Sequence, residues 1–254
     1  MRRINNIGNQ TLETIGNLRT IHWDFNGKKV SDSDLRKIIE HGMRAAHSTN
    51  LSDYSVVVID DTDKINKLVA NTGKARCCVF CIDHTRTVAA MKLLGHDYTP
   101  VSSWYTLFAD LYNLYAFAQT SVIAAKSMGI DSLVTNGIFR VDINEAKKIL
   151  NLPEKHCFPV IAVLFGYSDK PEEEITGRLS ADHVLHFGGY NNASENSLRK
   201  IISEMDKIYP EYIDDKYPHT LDWYFSEWLG NGTGKLTPKD SHLRDALIGA
   251  GYVF

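Results

Sequence analysis

The sequence predicts a mixed α/β or α+β domain followed by a helical tail, on three observations. Residues 103–128 repeat apolar side chains at three- and four-residue steps, residues 159–166 are continuously apolar, and the composition changes after about residue 190. The first pattern is the period of a helix, and the second is that of a strand buried on both faces. The 254 residues are 43% hydrophobic and 10% aromatic, enough for a real core. With 23% charged residues, 7 Pro and 17 Gly, neither wholesale disorder nor a fibrous repeat fits. A formal charge of -3 argues against a broadly cationic nucleic-acid surface. No apolar run is long enough to span a membrane, and Met1-Arg2-Arg3-Ile4-Asn5-Asn6 leads into polar residues rather than a secretory stretch. The expectation is a cytoplasmic protein with neither nucleic-acid nor membrane partners.

In chain order, a helix is expected over about residues 9–18, followed by a turn at Asn26-Gly27. Asp32 or Ser33 reads as the N-cap of a helix through about residue 45, with Leu35, Ile38, Ile39 and Met43 as its apolar stripe. Val56–Ile59 reads as a short strand, Ile65–Leu68 as part of a helix, and residues 76–82 as a strand. On that strand Cys77, Val79 and Cys81 share one face, while Cys78, Phe80 and Ile82 share the other. The long helix at 103–128 carries Leu107, Leu111, Leu114, Ala118, Val122 and Ala125 on one stripe, with Phe108, Tyr112, Tyr115 and Ile123 on its other sides. A helix apolar over most of its circumference is expected to be buried, inside the domain or between subunits. Gly129 closes it as a C-cap. Residues 131–135 read as a strand, Asn144–Leu150 as a helix, and 159–166 as a strand central in a sheet.

Residues 191–254 hold 7 Lys+Arg against 10 Asp+Glu, so this tail alone supplies the net charge, and nine of its residues are Phe, Trp or Tyr. Helical patterns near 193–208, 219–229 and 239–249 make it a folded appendage, with Trp223, Tyr224, Phe225 and Trp228 available for packing. The four cysteines, at 77, 78, 81 and 157, are too few and too clustered for a secreted disulfide framework, and read as buried thiols.

Local motifs are sparse. There is no dinucleotide glycine fingerprint, phosphate loop or His-Glu-x-x-His motif. Asp83-His84-Thr85-Arg86 reads as a strand-end cap with solvent-facing charges. Asp182-His183 with His186 lacks a third metal ligand, and Ser48 lacks a glycine elbow.

The ordered series of segments over about residues 15–190 resembles the FMN-dependent nitroreductase family. Arg19-Thr20-Ile21-His22 with Phe25 resembles the family's amino-terminal Arg-Ser-Ile-Arg-x-Phe. Ala45-Ala46-His47-Ser48-Thr49-Asn50-Leu51-Ser52-Asp53-Tyr54 resembles its Ala-Pro-Ser-x-x-Asn-x-Gln-Pro-Trp. Ala118-Gln119 through Gly129-Ile130 is similar to its central helix and exit. Leu152-Pro153 with Pro159–Tyr167 is the best-matched stretch, and Arg178-Leu179-Ser180 with Val184-Leu185-His186 resembles the closing Arg-Leu-Pro and Val-Val-His.

The resemblance implies an α+β fold, a mixed sheet flanked by helices, with residues 1–190 as the flavin-binding domain; the aromatic-rich composition of residues 191–254 makes them a C-terminal helical extension packed on the main body or a partner subunit. The resemblance also implies an intertwined homodimer with shared active sites, FMN as cofactor, and NADH or NADPH as electron donor. The implied activity is ping-pong hydride transfer to nitroaromatic, quinone or similar flat acceptors, with no side chain as chemical catalyst. A non-catalytic flavin-binding or interaction module is the alternative. Arg19, Thr20, His22 and Arg178 match the phosphate group of the family. Ser48 and Asn50 match the segment along the ribityl chain and ring, and Asn71 and Lys74 lie near the expected pyrimidine contact. Asn136 and Gly137 match the turn whose backbone N–H faces flavin N5.

Overall fold

The computed structural model describes residues 8–69, 74–97, 104–171, 175, 177–208, 220–226 and 241–253. The chain divides into two compact units, a main one of Arg3–Glu173 with Asp240–Phe254 and a smaller one of Glu174–Lys239 with Met1–Arg2. Asn71 and Trp228 lie outside the described residues.

The main unit is built on an antiparallel sheet of β1 (Tyr54–Ile59), β2 (Arg76–Asp83), β3 (Asp131–Thr135) and β4 (Cys157–Gly166), in the order β1-β2-β4-β3. The two central strands, β2 and β4, are buried along their whole length, as their unbroken apolar runs require. Thr20 adds a parallel bridge to Ser132 at the β3 edge. The faces of β2 divide as the alternation predicts. Cys77, Val79 and Cys81 enter one core, and Cys78, Phe80 and Ile82 enter the other. The β2–β4 pairing slips by one residue between Phe80 and Cys81, leaving Val160 as the extra residue of a bulge. Val160 and Ile161 consequently face the same core.

One face of the sheet is covered by α2 (Asp32–Gly42), α5 (Trp104–Ser127) and α9 (Ser241–Gly249), and the other mainly by α3 (Thr62–Val69) and α6 (Ile143–Ile149). Upstream of these, α1 (Gln10–Gly16) is capped by Asn9. The cap of α2 is Ser31, whose hydroxyl accepts the Asp34 N–H at 3.0 Å, one residue ahead of the expected position. A glycine sets the spacing of α2 and α5. A Cβ on Gly42 would stand 2.0 Å from Ser121 Oγ and 2.9 Å from Phe117 Cε2, so only a bare backbone fits.

The expected long helix is α5, and its burial is one-sided. Leu107, Leu114, Phe117, Ala118, Val122 and Ala125 face the core together with the polar Asp110, Asn113 and Ser121. Trp104, Tyr105, Phe108, Tyr112 and Tyr115 remain exposed on the opposite side of the helix. One element has no sequence forecast: α4 (Thr85–Leu93), started by Asp83 Oδ1, which accepts the Thr85 N–H at 3.0 Å.

All four cysteines are free and buried. Burial pushes the Cys77 thiol up to about 12 and the Cys78 thiol higher still. No helix among the described residues is long and apolar enough to cross a membrane.

In the smaller unit, α7 (Glu195–Ile208) contacts α8 (Leu221–Tyr224), and Asp206 Oδ1 accepts the Leu221 N–H at 2.7 Å. His183 Nε2 lies 3.3 Å from Glu204 Oε1, so this histidine has a carboxylate partner rather than a cluster of ligands. The last stretch of the tail belongs to the main unit, where Ala246, Ala250 and Tyr252 enter the core.

Candidate functional site

The segment after α1 runs extended against β3, with the Ile21 N–H donating to the Ser132 carbonyl at 3.1 Å. Extended backbone alternates its side chains. Arg19 and Ile21 therefore turn inward, while Thr20 is exposed and His22 half-buried. Arg19 donates from Nε to Asp131 Oδ1 at 2.9 Å and from Nη2 to Oδ2 at 2.7 Å. Its Nη1 donates to the carbonyls of Lys170 and Pro171. Lys126 Nζ stands 3.4 Å from the same carboxylate. Burial acts to raise the Asp131 pKa, but the hydrogen bonds and charges of Arg19 and Lys126 hold it below the ordinary value. The guanidinium thus braces the end of α5, the start of β3 and the 170–171 segment. His22 is shifted the other way. Burial, reinforced by the charge of Lys170 and opposed by Asp24, lowers its pKa, which favours the neutral imidazole.

The second segment joins α2 to β1. His47 Nδ1 accepts the N–H groups of Thr49 at 3.2 Å and Asn50 at 2.9 Å, which leaves the ring proton on Nε2. Ser48 is held reciprocally by Asn113 on α5: its N–H donates to Oδ1 at 2.9 Å, and its hydroxyl accepts from Nδ2 at 3.1 Å. Asn50 and Ser52 take φ values of 60° and 58°, a left-handed conformation that asparagine tolerates better than serine. Asn50 is exposed.

The third segment follows β3. The Gly137 N–H donates to Thr135 Oγ1 at 3.0 Å, and a Cβ there would stand 3.1 Å from the Val69 carbonyl. Gly137 is therefore the point where this turn packs on the end of α3, and Asn136 beside it is exposed. Lys74 is exposed, with its stem over Gly27. Arg178, in the smaller unit, is exposed and donates from Nη1 to the Gly177 carbonyl at 2.8 Å.

Within one chain the Ser48 loop and the Arg19 segment do not converge. Ser48 is fastened to Asn113 and Arg19 to the Asp131–Lys126 corner, and Asn113 and Lys126 are 13 residues apart on α5. At 1.5 Å per residue, that places the two anchor points about 20 Å apart.

A cavity of about 380 Å³ opens beside Ser48, between the 48–53 loop, α4 and the first turns of α5. On its wall, His84 Nε2 lies 3.0 Å from Asp110 Oδ2, which also accepts the Tyr252 hydroxyl at 2.6 Å. Burial acts to lower the His84 pKa, but the hydrogen bond and charge of Asp110 outweigh it and raise the pKa. Local motifs did not reveal this cluster. The available signal was the pair Asp110 and Asn113, polar residues on the core-facing stripe of α5.

No family model matches the chain. It is 28% identical over 238 residues to an NADPH-flavin oxidoreductase of Vibrio harveyi, a match covering 90% of this chain and 91% of that one. The NfrA1 nitroreductase from B. subtilis superposes with a TM-score of 0.80 at 22% identity, over 95% of this chain and 98% of that chain. The NADPH:FMN oxidoreductase from Vibrio harveyi complexed with NAD+ superposes with a TM-score of 0.78 at 23% identity, over 96% and 99%. The fold is the α+β nitroreductase fold, as the ordered segments implied.

Proposed function

We propose that this protein is an FMN-dependent NAD(P)H oxidoreductase that works as a homodimer and reduces nitroaromatic, quinone or similar flat acceptors in two half-reactions. The observation that carries the reading is the sequence match, over nine-tenths of the chain, to a protein named as an NADPH-flavin oxidoreductase. The geometry supports the dimer. The Ser48 loop and the Arg19 segment are anchored about 20 Å apart along one α5, and a second copy can bring another Ser48 loop to the first Arg19 segment. The exposed aromatic side of α5 is the surface such a copy would cover.

The outward residues suit the cofactor. The exposed Thr20 hydroxyl and Arg178 guanidinium are the donors a phosphate monoester needs, and His22 in its favoured neutral form can donate a hydrogen bond without adding charge. Arg19 holds the Thr20–His22 backbone in place from behind. Ser48 and Asn50 would line the ribityl chain and ring, Lys74 the pyrimidine edge, and Asn136 with Gly137 the side of N5. Bound FMN supplies the hydride chemistry, and the chain's residues bind it, orient it and shape access to it. The four free, buried cysteines fit a reducing compartment such as the cytoplasm.

Purification followed by absorbance and mass analysis of the released cofactor tests the reading. Anaerobic stopped-flow with NADH and with NADPH then reads turnover. A yellow, FMN-loaded protein bleached by either nicotinamide is expected. Bound flavin without bleaching would favour a non-catalytic module, and a colourless chain that refuses FMN would overturn the proposal.

A further inference from the structure

The cavity beside Ser48 has a charge pattern that the flavin reading does not use. His84 and Asp110 form a pair whose charges cancel when the imidazole is protonated. Asp53, half-buried on the same wall, spends Oδ1 on the Thr87 hydroxyl and has no other hydrogen bond to its carboxylate among the described residues. No lysine or arginine is among the described lining residues. The nearest guanidinium in sequence, Arg86, is turned to the Ser52 and Tyr54 carbonyls and to Ser55 and Asp83. With His84 paired to Asp110, the remaining carboxylate on the described wall is that of Asp53. Leu51, Met91 and Ala109 give the wall its apolar part.

We propose that this cavity binds a small organic cation, an ammonium group on a body of about one ring, with the ammonium on Asp53 and the body against Met91 and Ala109. The volume lies at the small end of ligand pockets, which sets the size of the body. A carboxylate with a spare oxygen attracts an ammonium by charge-assisted hydrogen bonding. An anion is disfavoured, since its carboxylate would sit against Asp53 with no lysine or arginine on the described wall and the His84 imidazole already paired to Asp110. The flavin reading gives Ser48 to the cofactor and the Tyr105 side of α5 to a second copy, whereas the ammonium and its body are placed on Asp53, Met91 and Ala109, which that reading does not use, so either can fail without the other.

The test uses the protein as purified, labelled with [13C-methyl]methionine. Only five methionine signals arise, and Met91→Leu identifies the one at the cavity. Benzylamine, benzyl alcohol and benzoate share one ring and differ in charge. Benzylamine at pH 7 is expected to shift the Met91 signal saturably, benzyl alcohol to bind more weakly, and benzoate to leave the signal unmoved. Asp53→Asn is expected to weaken benzylamine by about 10-fold or more, as loss of a charge-assisted hydrogen bond should. The charge series in the native protein keeps the test decisive if that variant does not fold. Benzoate binding as tightly as benzylamine would overturn the proposal. So would an Asp53→Asn protein of unchanged affinity, or no saturable Met91 shift with benzylamine.

Discussion

Arg19 and Asp131 meet through two parallel N–H···O contacts, 2.9 and 2.7 Å long, with both side chains nearly closed off from solvent. In Arg19→Ala, Asp131 would keep Lys126 at 3.4 Å but lose its bidentate partner. Breaking a buried pair from one side costs about 3–5 kcal/mol, so the urea midpoint should fall sharply. Arg19→Lys should recover only part, since an ammonium cannot span both oxygens. A midpoint unchanged in Arg19→Ala would mean the brace contributes nothing to stability.

Gly42→Ala should destabilise the main unit by about 1–3 kcal/mol or more, because its methyl would land on Ser121 Oγ at 2.0 Å. Adding Ser121→Ala should recover some of the loss by removing the tightest contact. Thermal melts of the two variants against the native chain read both effects.

His84 makes stability depend on pH in a definite direction. Its pKa is raised in the folded state, so the Asp110 pair contributes fully below the unfolded value near 6.5 and fades as pH rises through the folded value. The difference in melting temperature between native protein and His84→Gln should be largest near pH 6 and shrink toward pH 9. A difference constant across that range would show that the charged pair is not coupled to folding.

Arg178→Ala should lower FMN affinity by about 10- to 150-fold, the worth of a charge-assisted hydrogen bond, while riboflavin affinity changes little. Equal losses for the two ligands would move Arg178 away from the phosphate. Fluorescence titration of flavin-free protein distinguishes these outcomes.

Phe108→Glu places a charge in the middle of the exposed aromatic side of α5, where Phe108 is 63% and Tyr112 53% accessible in the single chain. Light scattering should report twice the chain mass for the native protein and a shift toward monomer, with loss of flavin, for the variant. A variant that stays dimeric would place the interface elsewhere.

The framework was legible where pattern and burial coincide. The period of α5, the two-sided burial of β4 and the alternating faces of β2 follow from residue spacing. Helix α4 was hidden because it buries none of its residues and so leaves no apolar stripe to read. The Val160 bulge was hidden because both flanking residues are apolar and an unbroken run carries no register mark. In the His84–Asp110–Tyr252 cluster, Asp110 and Tyr252 alone are 142 positions apart, beyond any local motif. The inward turn of Arg19, by contrast, could be read from its place two residues before Ile21, on the same side of an extended segment.

The buried thiols of Cys77 and Cys78 make the chain its own recorder of unfolding. Alkylation requires the thiolate, and at neutral pH the native Cys77 and Cys78 offer almost none, since burial lifts the first to about 12 and the second further. A reagent present in excess should therefore mark these positions only when the central strands separate. The mass increments it leaves would count such openings over hours, without denaturant and without an optical probe. Because Cys77 and Cys78 point into opposite cores, their labelling rates would tell whether the two faces of the sheet open together or one at a time.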